Sequence, residues 1–170
     1  ISVDNFTIAR PEQRLVIDGV LSSSLRDSVY LTLDNFDISG LSLLIKKSGF
    51  AVEGVSNGYA TVRSALESPK VEAAIALDSL EVNDIKVAPQ FITSNWDIAN
   101  NRAHLVVSDR VLDEVVVEGY YQPTDGRYSA DANIRNADMI LLKPYIGSVL
   151  SDIEGTADYD VHIEGDASSA

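Results

Sequence analysis

From Gly155 to Asp166 the chain reads GTADYDVHIEGD, with Asp158, Asp160, His162 and Glu164 on every second position and Tyr159, Val161 and Ile163 between them. Successive side chains of a strand point to opposite faces, so this pattern predicts a strand with one charged face and one apolar face. The same alternation recurs. Val71, Ala73, Ile75 and Leu77 share one side of KVEAAIALD, with no polar member. Tyr128, Ala130, Ala132 and Ile134 oppose Arg127, Ser129, Asp131 and Asn133. Leu15, Ile17 and Leu21 fall together, as do Val29, Leu31 and Leu33, and Ala103, Leu105 and Val107. In DEVVVEGYY, Val115, Val117 and Tyr121 oppose Glu114, Glu118 and Tyr120, and Val116 breaks the alternation. Each stretch predicts a half-buried strand, dry on one side and wet on the other.

Turn signals at short spacing separate these strands. Asp125-Gly126 is a hairpin signal, and Ala99–Arg102 is an Asn-rich turn. Asn57-Gly58, Val82–Asp84 and Ser68–Lys70 are read as further turns. The spacing predicts an all-β antiparallel architecture, not βαβ units. Two segments depart from it. Ile38, Leu41, Leu44 and Ile45 lie at roughly helical spacing, as do Leu141, Leu142, Tyr145, Ile146 and Val149. Pro144 fits only a first turn or a kink, so one or two short helices covering a sheet edge or open end are expected.

The two halves match in order. RLVIDGVLSSS aligns with EVVVEGYYQPT, Asn35 with Asn136, Asp37 with Asp138, and Glu53-Gly54 with Glu154-Gly155. This gives an internal repeat over about 14–66 and 114–166, with a β segment at 67–113 between the copies. The 170 residues are read as a single β-rich fragment of a longer protein.

Composition narrows the partners. The net charge of −13 opposes nucleic acid and anionic membrane surfaces. With no cysteine, neither a disulfide framework, a thiolate zinc site nor a cysteine nucleophile exists. No apolar run approaches the roughly 18 residues of a spanning helix. His162 has Asp160 and Glu164 on its own face, but same-face neighbours along a strand stand ~7 Å apart, awkward for one ion. A solvated face accounts for them, and no metal is expected. Neither a nucleophile elbow, a phosphate loop nor a dinucleotide fingerprint is present, so no catalytic residue and no cofactor is assigned. Trp96 reads as a strand-end plug, and Lys46-Lys47 as the solvated end of a helix. The apolar faces leave two readings open. They meet one another across a closed core, or they meet an oily ligand.

The order Val117 to Asp166, with its GYY strand, polar hairpin, ADMILLKPYIG segment and DIEGTADYDVHIEG, resembles the TamB (translocation and assembly module) family of the AsmA-like group. Gly58 to Ser108 resembles it as well, through the SPKVEAAIAL turn into an alternating strand. The resemblance implies an elongated antiparallel sheet curled into a trough with an apolar interior, a β-taco. It implies a periplasmic location within a protein anchored in the inner membrane by a helix outside this chain. It also implies an Omp85-type outer-membrane partner, and a role in phospholipid transport between membranes or in outer-membrane protein assembly. Lipid acyl chains would then lie against Leu15, Ile17, Val71, Ala73, Ile75 and Leu77. In the second half they would lie against Val115, Val117, Tyr128, Ile134, Tyr159, Val161 and Ile163. An isolated fragment would expose sheet edges through which two copies could pair.

Overall fold

The computed structural model describes residues 1–41, 51–142 and 154–166. The chain forms a single antiparallel sheet that does not close into a barrel. Its strands are β1 (Ser2–Arg10), β2 (Gln13–Val20), β3 (Ser28–Asp37), β4 (Val52–Arg63), β5 (Lys70–Val82) and the two-residue β6 (Ile85–Lys86). They continue as β7 (Gln90–Asp97), β8 (Arg102–Asp109), β9 (Glu114–Gln122), β10 (Arg127–Asp138) and β11 (Thr156–Asp166). Neighbours in sequence are neighbours in space, except that β6 stands beside β5 off the main path. Local turn chemistry dictates this meander. Gly126 takes φ 73° and its N–H donates to the Gln122 carbonyl at 2.9 Å. Asn83 and Asp84 both take positive φ between β5 and β6, the conformation of a tight hairpin turn. Pro11 and Glu12 (φ 67°) turn β1 into β2.

Register settles which side chains share a face, because residues directly opposite on paired strands point the same way. One row runs through Ile8, Leu15, Leu33, Gly58 and Ile75. It continues through Ile92, Val107, Val117, Ala132 and Val161. The next row begins at Phe6, Ile17, Leu31, Ala60 and Ala73 and ends at Ser94, Leu105, Gly119, Ala130 and Ile163. Two adjacent rows across ten strands thus hold a single polar side chain, Ser94. The opposite face carries Thr7, Thr32, Tyr59, Thr93, Glu118, Asp131 and His162 in one row.

Most apolar side chains are only half-buried. Among the described residues, Ile38 (5% exposed) and Leu80 (7%) are the buried hydrophobics. They sit at one end of the apolar face, where the Ile38 N–H donates to the Gly54 carbonyl at 3.1 Å. The accessible surface is 10998 Å². A compact globular chain of this size would expose roughly 8,200 Å².

Three strands carry the same irregularity. Asn5, Asn35 and Asn136 all adopt left-handed φ (49°, 46° and 51°), and each is an extra residue in its ladder. Asparagine tolerates this region better than other side-chain-bearing residues. Each asparagine N–H, lost to the ladder, donates to a side-chain oxygen of the next strand. The acceptors are Asp18 Oδ1 at 3.0 Å, Asn57 Oδ1 at 2.8 Å and Asp158 Oδ1 at 2.9 Å. Further bonds recur 101 residues apart. Asp37 Oδ1 accepts the Ser39 N–H at 2.8 Å, as Asp138 Oδ1 accepts that of Ile140 at 2.9 Å. The Met139 N–H donates to Gly155 as Ile38 does to Gly54.

Two sequence expectations change. Asn57-Gly58 is not a turn but lies inside β4. Gly58 is needed there because its φ is 144° and a Cβ would collide with the Ala74 carbonyl oxygen of β5. The expected helices are each a single 3₁₀ turn where described, Ser39–Leu41 and Met139–Leu142. The remainder of both segments, including Leu44, Ile45, Lys46-Lys47, Tyr145, Ile146 and Val149, lies outside the described residues.

Candidate functional site

The two faces of the sheet are the candidate surfaces, and they differ in chemistry. Twelve of the thirteen residues named as lining fall on the apolar face. Leu15, Ile17, Ala73, Ile75, Val117, Val161 and Ile163 lie in the two rows above. Val71 pairs with Val62, Leu77 with Ser56, Tyr128 with Tyr121 and Ile134 with Tyr159 on that same side.

Val115 is the exception and corrects the sequence reading. Val117 pairs with Val107 but Val115 pairs with Ser108, so Val116 is an extra residue in β9. A bulge reverses the alternation beyond it. Val115 therefore shares the polar face with Ser108 and is 52% exposed. Val116 takes its place on the apolar side, lining a cavity with Val107 and Val117. The sequence signal was the run of three valines, which marks a strand and hides the bulge. Phe6, Ile8, Leu31, Leu33, Ile92, Leu105 and Val107 also belong to this face, and their own strand alternation was the signal for them.

Three polar side chains on the apolar face donate to backbone carbonyls. Ser56 Oγ donates to the Phe36 carbonyl at 3.0 Å and Ser94 Oγ to that of Val71 at 3.3 Å. Both side chains are buried. A hydroxyl spent on a neighbouring carbonyl presents little polarity outward. Gln90 Nε2 donates to the Ala88 carbonyl at 2.9 Å. Trp96 sits at the end of β7, half-buried, with Lys70 Nζ 5.1 Å from its ring centre. At one end of the face is a cavity of about 490 Å³. Its walls are mixed, apolar at Ile85, Val107 and Ile134 and charged at Asp109, Glu114 and Arg135.

The polar face gathers both histidines on its last four strands. His162 Nδ1 is 2.7 Å from Asp131 Oδ1, and its Nε2 is 3.7 Å from Glu164. The hydrogen bond to Asp131, then that carboxylate's charge, raise the His162 pKa above its ordinary value, with a smaller contribution from Glu164. His104 Nε2 is 2.8 Å from Glu118 Oε1, and the ring stacks on Tyr120 with centres 4.6 Å apart. Arg102 covers the same Tyr120 ring at 3.6 Å. Arg135 holds Asp160 through two bonds, at 3.0 and 3.2 Å. These groups pair one with another across strands. Among the described residues, no three His, Asp or Glu side chains converge as a metal-binding set.

Compared with known proteins, the chain matches no protein-family model, no curated protein and no solved structure.

Proposed function

We propose that the protein is a non-catalytic, periplasmic part of an inner-membrane-anchored, TamB-like envelope protein. In this reading its apolar sheet face lines a trough for lipid acyl chains. The trough serves phospholipid transport between the membranes, or outer-membrane protein assembly, beside an Omp85-type partner. One observation carries the reading. The eleven-strand sheet has two adjacent rows on one face that are apolar from edge to edge but for Ser94, and among the described residues no second layer covers them. Large apolar surfaces left unpaired mark interaction sites. A closed structural β-repeat would need such a layer, so the half-exposed rows favour the trough.

The energetics suit an unspecific cargo. Burying each methylene contributes about 0.8 kcal/mol, so a long acyl chain is held without any polar contact. Selectivity then rests on shape and on the absence of charge along the rows. The exposed acidic residues of the other face keep the assembly soluble.

The experiment is mass spectrometry of lipids carried through purification, with Ile75→Glu as control. Ile75 stands mid-sheet in an apolar row, so a carboxylate there interrupts the track. The wild type is expected to carry lipid and the variant severalfold less, with circular dichroism unchanged. Lipid in neither sample, or equal lipid in both, would overturn the reading.

A further inference from the structure

We propose that the cavity at one end of the apolar face is a headgroup site that prefers a phospholipid carrying a primary ammonium. This deepens the proposed function and rests on it, since the acyl chains are those held along the apolar rows.

Register builds the site. Ser56, Leu77, Gln90, Asp109 and Glu114 stand directly opposite one another on β4, β5, β7, β8 and β9. Leu77 lies on the apolar face, so the whole row lies there. The Val116 bulge brings Glu114 into it, against the alternation of the sequence. The face thus turns from apolar at Val107 and Val117 to acidic at Asp109 and Glu114. Gln90, Asp109 and Glu114 all line the cavity.

This row asks for a cation with N–H donors. Gln90 is 7% exposed and its Nε2 donates to the Ala88 carbonyl. Its buried Oε1 accepts no hydrogen bond among the described residues. A buried acceptor without a donor is destabilising. Asp109 is 8% exposed, and its Oδ1 accepts the Val111 and Leu112 N–H groups at 2.7 and 3.0 Å. It stands opposite Glu114, and like charges directly opposed repel. Among the described residues neither carboxylate forms an ion pair. The other charged groups of the cavity are Lys86, Arg135 and Asp138. Arg135 is held by Asp160, and Asp138 accepts the Ile140 N–H. Lys86 is the cation left for a phosphate. An ammonium between Asp109 and Glu114 relieves their repulsion and supplies charge-assisted hydrogen bonds, with Gln90 beside them. A zwitterionic head so placed leaves its chains on the side of Val107, Val117 and Ile134.

The test offers the purified chain micelles of phosphatidylethanolamine, phosphatidylcholine and phosphatidylglycerol in equal amounts, all with the same acyl chains. Mass spectrometry then quantifies the lipids retained. Wild type is expected to favour phosphatidylethanolamine about three- to tenfold over each of the others, the span of a net hydrogen bond. Phosphatidylcholine separates charge from donation, because its ammonium has no N–H. Glu114 is exposed, so its variants keep the fold. Glu114→Gln is expected to reduce the preference about twofold or more. Glu114→Lys is expected to turn it toward phosphatidylglycerol, and both variants keep total lipid unchanged. Ile75→Glu is expected to lower all three lipids alike. Equal retention of the three, or of the two zwitterionic lipids, overturns the headgroup site and leaves the acyl track standing. So does a wild-type preference for phosphatidylglycerol, or a preference that neither Glu114 variant moves. Retention of no lipid overturns both.

Discussion

Single residues decide where this sheet departs from regularity. Asn35 and Asn136 hold the left-handed conformation, and each delivers its N–H to a side chain on the next strand. A Cβ without a polar end is costly in that region, by about 1–2 kcal/mol. Asn35→Gly is therefore expected to leave stability nearly unchanged, whereas Asn35→Ala loses about 1 kcal/mol in urea unfolding. Equal losses from both would refute the conformational reading. Asp158 fills the place that Asn57 fills in the first half, so Asp158→Asn is expected to be tolerated better than Asp158→Ala. The His162 pair acts through titration. Its pKa is raised mainly by Asp131, so its stabilisation is complete below about pH 6.5, the unfolded value. It is lost as pH rises through the higher folded-state value. In an NMR titration, Asp131→Asn is expected to move the His162 midpoint down toward the ordinary value. An unmoved midpoint would contradict this assignment.

At the scale of strands, the period-2 pattern carried most of the information. β5, β10 and β11 were legible because their alternation is nearly unbroken, and the Asp125-Gly126 turn announced its hairpin. Bulges were not legible, for a physical reason. A bulge adds one residue without altering composition, so EVVV reads as a regular strand until pairing with Ser108 and Val107 is known. That one residue moved Val115 to the polar face and put Val116 on the apolar side. Asn57-Gly58 misled for the opposite reason. The dipeptide favours positive φ, and a strand interior used that freedom at Gly58 for close approach to β5. Matching residues between the halves were visible in the sequence. Their shared task, holding a bulge and the 3₁₀ turn after it, became clear from hydrogen bonds 101 residues apart. Of the candidate surface, the strands' apolar sides were readable. Which of them share a face depended on register.

For the molecule as a whole, the unusual feature is a domain-sized sheet whose described residues include only two buried hydrophobics, Ile38 and Leu80. Across the described sheet, ladder hydrogen bonds and lateral contact of half-buried side chains along the rows contribute to stability. If the apolar face takes up an acyl ligand as proposed, binding would also favour the folded sheet by mass action. Photo-crosslinking tests this most directly, with a benzoylphenylalanine placed singly at Ile75, Ile92 and Val107 and at their polar-face neighbours Ala74, Thr93 and Val106. With phospholipid present, adducts are expected at the first three positions and not at the second three. Adducts on both faces alike, or at none of the six, would contradict an apolar face that receives lipid.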